Sequence, residues 1–217
     1  MDGTNETVRR GRGRPRKFER KPALEIAVRL FWQRGYEATG VAELREAMGG
    51  MPSASFYQLF GSKAELFAES IAHYRATYGR ALDPLTDASL DPKEAIRQTL
   101  SRSIAMQTDK EHPLGCMMVL AAPISETDDP VYEMVAERRH ITRSRVLDRV
   151  RQAIAEGALP PGTDAEAMAG LIYGFLMGIS TQARDGVSAE TMQRSADALL
   201  ALWGQPDETD VAESRGR

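Results

Sequence analysis

The stretch TGVAELREAMGGMPSASFYQLFGSK, residues 39–63, decides the fold. Val41, Leu44, Ala47 and Met48 recur at helical spacing and Gly49-Gly50 stops them, so a short helix is expected to run from a Thr39 cap to the glycine pair. Met51-Pro52-Ser53 opens a second short helix over 53–59, with Phe56 and Phe60 on its inner side. Ser62 with Glu65 is a capping box for a long helix expected to reach Leu82. Working backward, Leu24, Ala27, Val28, Leu30 and Phe31 form a stripe that begins after Pro22 and stops at Gly35.

The chain beyond this stretch is punctuated in the same way. Asp91-Pro92 with Glu94 opens a helix to Thr108, and Gly115 precedes an apolar stretch from Cys116 to Ile124. Asp129-Pro130 starts a helix ended by Gly157. Thr163 with Glu166 caps one that runs to Asp185, and Ser188 starts a last one ending near Trp203-Gly204. The fold class is therefore all-α, with about nine helices and neither strand nor repeat. Residues 1–20 lack apolar periodicity and read as a basic flexible arm, residues 205–217 as an acidic flexible tail. Between them lie a small unit, 21–67, and a larger one, 68–204.

With 217 residues, 42% hydrophobic and 27% charged, the chain has the composition of an ordinary globular protein. Its single cysteine, Cys116, excludes an internal disulfide and a Cys-rich zinc site, and reads as a small buried apolar residue rather than a redox sensor. No apolar run is long enough for a membrane span and no signal peptide is visible, so the expected location is the cytoplasm. Residues 1–80 carry 14 Lys+Arg against 9 Asp+Glu, and residues 81–217 carry 14 against 22. The front attracts polyanions and the back repels them. There is no phosphate loop and no nucleophile elbow, and His73, His112 and His140 have no metal-ligand spacing. Neither catalysis, a metal nor a cofactor is expected.

Two short helices around a glycine turn have the spacing of a helix-turn-helix, whose second helix enters the major groove of DNA. Ala27, Leu30-Phe31, Gly35-Tyr36, Thr39, Val41, Leu44, Ala47, Phe56-Tyr57, Phe60, Lys63 and Leu66 give this stretch a specific likeness. From Pro22 to Phe67 the chain resembles the TetR family of transcriptional regulators. The segment from Gly50 to Ser55 is one residue longer than the family's commonest turn, which leaves the register across the turn open.

On this reading Ser53, Ser55 and Gln58 either contact bases or serve as caps and solvated groups. Tyr57 resembles the family's phosphate-contacting tyrosine. Lys63 is a phosphate anchor reinforced by the start of its helix, and Thr39 caps its own helix while touching phosphate. In the arm, Arg12, Arg14 and Arg16 resemble an AT-hook core for an A·T-rich minor groove, with a generic basic arm as the alternative.

Gly170, Gly174 and Gly178 lay a smooth strip along one helix face, open to close approach by another helix. The resemblance implies a homodimer built from the last two helices, with this strip, Leu199, Leu200 and Trp203 at the interface and a palindromic operator as partner. It also implies an apolar effector pocket, for which Met106, Met117, Met118, Tyr132, Met134, Tyr173, Phe175 and Met177 are the candidates. His140, amid Arg138, Arg139 and Arg143, is assigned to a solvated face. The function implied is a ligand-responsive repressor. An activator of the same fold, an architectural DNA-binding protein without effector, and a carrier or enzyme that has lost DNA binding are the alternatives.

Overall fold

The computed structural model describes residues 18–121 and 130–203. Nine α-helices and one 3-10 segment occur among them, in the order α1 (Arg20–Arg34), α2 (Val41–Ala47), α3 (Ser53–Phe60), α4 (Lys63–Thr77), the 3-10 segment (Tyr78–Thr86), α5 (Pro92–Thr108), α6 (Met117–Leu120), α7 (Pro130–Ala155), α8 (Ala165–Arg184) and α9 (Ala189–Ala201). The expected all-α class is therefore what the described residues adopt. The arm arginines Arg12, Arg14 and Arg16, and the whole acidic tail over 205–217, lie outside them.

Side-chain caps set four of the helix starts. Ser62, Asp91 and Ser188 accept from the backbone N–H three residues on, each satisfying one of the donors a helix start leaves free. Two starts differ from expectation. Asp164, not Thr163, caps α8, because its carboxylate reaches the N–H of Ala167. Thr39 does not cap α2, whose first residue is Val41 after an uncapped Gly40. Its hydroxyl turns inward and donates to the Gly35 carbonyl at 2.7 Å, and the residue is fully buried. The helix expected to reach Leu82 ends at Thr77 and continues as 3-10 turns containing Gly79 and Pro84. Proline supplies no N–H and clashes with the preceding turn of an α-helix, so tighter turns replace it there.

Two cores result. Around α1 to α4, the rings of Phe31, Trp32, Phe56, Phe60, Phe67 and Tyr74 close over Leu44, Met51 and Leu66. Around α5, α7, α8 and α9, aliphatic side chains such as Ile96, Leu100, Val146, Val150, Ile172 and Leu176 fill the interior. Arg149 on α7 is buried and donates to the carbonyls of Pro84, Leu85, Asp87 and Leu90, which ties the 3-10 segment to α7. The units meet where Trp32 Nε1 donates to the Gly115 carbonyl at 3.0 Å and Arg184, at the end of α8, donates to the Trp32 carbonyl at 2.8 Å.

Candidate nucleic-acid interface and cavity

The longer turn between α2 and α3 is absorbed by two successive glycines. Gly49 and Gly50 have φ of 86° and 75°, a left-handed backbone that side chains with a Cβ resist. The N–H groups of Gly50 and Met51 return to the Arg45 carbonyl, and Arg45 Nε donates to the Met51 carbonyl at 2.8 Å. Met51 is fully buried, so the register left open by the sequence is fixed here.

On α3, Phe56 and Phe60 point inward while Ser53, Ala54, Tyr57 and Gln58 are exposed. These four positions are one turn apart in pairs and form a single outer face. Ser55 is half-buried at its edge, and Tyr57 is 50% exposed. No side chain caps α3, since its N-cap is Pro52, so the first N–H groups are open to an external acceptor such as phosphate. Lys63, the first residue of α4, holds its ammonium 4.1 Å from the Tyr36 ring centroid. A cation at a helix start opposes the helix dipole, and the ring face offsets that cost while aiming the charge. Ser53, Tyr57 and Gln58 thus share one exposed face of α3, and Lys63 stands half-buried at the start of the next helix. Thr39 is not presented, because it is buried and its hydroxyl is engaged.

The cavity lies among α4, the 3-10 segment, α5, α6, α7 and α8, and holds about 130 Å3. Of the eight methionine and aromatic candidates, Met106, Met118 and Met177 line it. Met117 is buried in the first core, Met134 packs against that core, and Phe175 packs against the second. Tyr132 lies under Arg139 and Tyr173 is half-buried elsewhere on α8. Residues that sequence reading passed over complete the wall: Tyr74 and Arg75 from α4, Cys116 before α6, and Arg138, Arg139 and Arg145 from α7. The expected solvated face around His140 is therefore split, with His140 and Arg143 outward and Arg138 and Arg139 toward the cavity. The signal was present in the spacing of Arg138, Thr142 and Arg145, which share one side of a helix.

Tyr74 Oη donates to Cys116 Sγ at 3.4 Å. Burial, reinforced by Cys116, pushes the Tyr74 hydroxyl well above the usual phenol range, and burial likewise pushes the Cys116 thiol up. A thiol held protonated is a poor nucleophile. Burial lowers the pKa of the Arg75 guanidinium, and the like charges of Arg138 and Arg145 lower it further.

The glycine strip is open. A Cβ placed on Gly170 or Gly174 would meet nothing within 4 Å, and one on Gly178 would meet only the Gln182 side chain. Leu171 beside it is 55% exposed. Leu200 and Trp203, expected at an interface, are instead 6% and 7% exposed and belong to the subunit's own core, because α9 turns that side toward α5. Leu199 is half-buried, and Leu202 is the exposed leucine at that end. Among the described residues no group of His, Cys, Asp and Glu side chains could hold a metal, and no helix is long and apolar enough to cross a membrane.

Residues 23–70 match the family model for bacterial regulatory proteins of the tetR family, and residues 92–199 match that for tetracyclin repressor-like C-terminal domains. The chain is similar to the HTH-type transcriptional repressor ComR of Escherichia coli (strain K12), with 31% identity over 202 residues, 92% of this chain and 96% of ComR. It is 27% identical over 204 residues to the repressor BdcR of the same strain, 93% of this chain and 95% of BdcR. A cysteine mutant of the TetR family regulator CifR, solved with 26bp double-strand operator DNA, matches with a TM-score of 0.77 at 37% identity, over 88% of this chain and 100% of CifR. With both parts of the fold matched and relatives that are regulators rather than enzymes, this chain belongs to the TetR family and is a DNA-binding transcriptional regulator.

Proposed function

We propose that this regulator is a homodimeric repressor that leaves a palindromic operator when a small effector enters the cavity. The observation that carries the reading is the exposed, uncapped face of α3, which has no use inside the chain. In it Ser53, Ser55 and Gln58 read base edges, while Tyr57 and Lys63 hold phosphates on either side. Residues 21–67 form the DNA-binding unit and 68–204 the sensing and dimerising unit. The arm over 1–20 adds Arg12, Arg14 and Arg16 in a flanking A·T-rich minor groove. The open strip of Gly170, Gly174 and Gly178, with Leu171 and Leu202, supports pairing of α8 and α9 across a two-fold axis, which spaces two copies of α3 by roughly 34 Å. Repression is favoured by the likeness to ComR and BdcR, both repressors by name.

α4 supplies the coupling. Lys63 opens it at the DNA side, and Tyr74 and Arg75 near its other end line the cavity, roughly 18 Å away at helical rise. An effector that prefers a shifted α4 weakens operator binding, and operator weakens effector binding by the same factor.

Fluorescence anisotropy of the full chain against labelled DNA from its own upstream region, beside scrambled DNA of equal composition at two salt concentrations, tests the proposal. Selective binding that weakens steeply with salt is expected, and Lys63→Gln should lower affinity on every sequence while flattening the salt slope by about one per site. Equal binding to both DNAs would replace the repressor with an architectural protein. No binding to either would leave the cavity as the protein's main business.

A further inference from the structure

We propose that the cavity takes a small organic oxyanion, an apolar ring or short chain ending in a carboxylate or phosphate group, with Arg138 and Arg145 holding the charged end. The inference rests on the effector reading above and replaces the apolar effector expected from the methionines.

Four arginines border the space: Arg75 from α4, and Arg138, Arg139 and Arg145 from α7. Arg138 and Arg145 are two turns apart and so lie on one side of α7, opposite Arg75. Among the described residues, every arginine away from the cavity except the exposed Arg143 finds a partner. Arg20, Arg34, Arg80, Arg97, Arg151 and Arg194 pair with carboxylates, whereas Arg149 and Arg184 donate to carbonyls. Among the described residues, the guanidinium groups of Arg75, Arg138 and Arg145 have no hydrogen bond or ion pair, and that of Arg139 has only the Tyr132 ring, 6.0 Å away. Asp83, the acidic residue of the wall, is engaged by Arg80 at 3.4 Å.

Arg75 is exposed and Arg138, Arg139 and Arg145 are half-buried, so the like charges gather at the water-facing side of the cavity, where an entering anion meets them together. Burial lowers the pKa of Arg75, and the charges of Arg138 and Arg145 lower it further. Guanidinium forks match carboxylate and phosphate oxygens with paired N–H donors. Behind the arginines the wall is mainly apolar, made by Tyr74, Met106, Cys116, Met118, Leu176 and Met177, with the buried Gln107, whose Oε1 accepts from Ser180, and Thr142 as its polar members. The volume of about 130 Å3 sets the size of the body, since an apolar cavity of ~150 Å3 takes one benzene ring. One ring, or a chain of about six carbons, fits this space. The ligand therefore enters apolar end first and leaves its charge among the guanidinium groups.

Isothermal titration of the full chain with benzoate, phenyl phosphate, benzyl alcohol and benzylamine, and with hexanoate against hexanol, separates charge from apolar fit. Either anion is expected to bind at least about tenfold more tightly than the alcohol of the same body, and benzylamine not at all. Arg138→Gln and Arg145→Gln should each weaken the anion by about tenfold and leave the alcohol unchanged. Circular dichroism checks that both variants fold, which is expected for side chains with no partner among the described residues. The inference is overturned if alcohol and anion bind equally, if the variants weaken both alike, or if none of the probes binds. Operator release, read by anisotropy on the same samples, is a separate result. Anion binding without release removes the effector reading and leaves the anion site standing, and release by the alcohol alone does the reverse.

Discussion

The core under the recognition helix is built of rings, and the core of the sensing unit is built of branched aliphatic side chains. In the first, Phe31 meets Phe67 edge-on at 5.0 Å between centroids and Trp32 meets Tyr74 at 4.8 Å, both near perpendicular. In the second, Ile96, Leu100, Ile104, Val146, Ile172 and Ile179 make up the interior, Trp203 is the one ring among its buried members, and Phe175 packs against its edge. Ring contacts depend on orientation because of the quadrupole, while aliphatic contacts depend mainly on area. The difference teaches that the pose of α3 rests on oriented ring contacts, whereas the second core tolerates repacking at less cost.

The comparison is broken or sharpened first by Trp32→Ala. It removes a fully buried ring, its contacts with Tyr74, Tyr78 and His112 and its hydrogen bond to Gly115, and is expected to cost about 3–5 kcal/mol in urea unfolding. Ile104→Val in the aliphatic core should cost about 1 kcal/mol by the same measurement. Equal costs would end the distinction. Next, Arg149→Met strands four buried or half-buried carbonyls and should cost about 3 kcal/mol, with the 3-10 segment losing amide-exchange protection first. Gly50→Ala forces a left-handed backbone on alanine at about 1–2 kcal/mol, and should weaken DNA binding while leaving benzoate affinity unchanged, because only the turn is disturbed.

The smallest effect is on pH. Tyr74 and Cys116 are both held neutral with raised pKa values, so their contribution to stability is complete below the ordinary thiol and phenol ranges. It is lost as pH rises through about 9 to 10 and beyond, where the unfolded chain ionises first. Urea midpoints should fall across that window, and less so in the variant carrying both Tyr74→Phe and Cys116→Ala.

Local signals were legible where one residue decides them. Ser62, Asp91 and Ser188 act as caps as their spacing indicated, and the positions of α1, α3, α5, α7 and α9 follow the apolar stripes closely. Thr39 misled because a threonine before a helix has two acceptable uses. Here the carbonyl of Gly35, closing α1, wins the hydroxyl. The outer face of α3 was readable because Phe56 and Phe60 mark its inner side. The cavity was not, since its wall draws on five helices and a 3-10 segment, and no window of sequence contains Arg75 together with Arg145. Of the eight methionine and aromatic candidates, only Met106, Met118 and Met177 line the cavity.

Arg184 has a consequence for anyone building chimeric regulators. The carbonyl that ends α1 at Trp32 is satisfied by a side chain 152 residues further along, and the Trp32 indole is satisfied by Gly115. Grafting the first 67 residues onto another relative's body would therefore carry over the reading head without its sockets. A working transplant must bring along the residues at 115 and 184, or the borrowed helix will fray at the seam through which any signal has to pass.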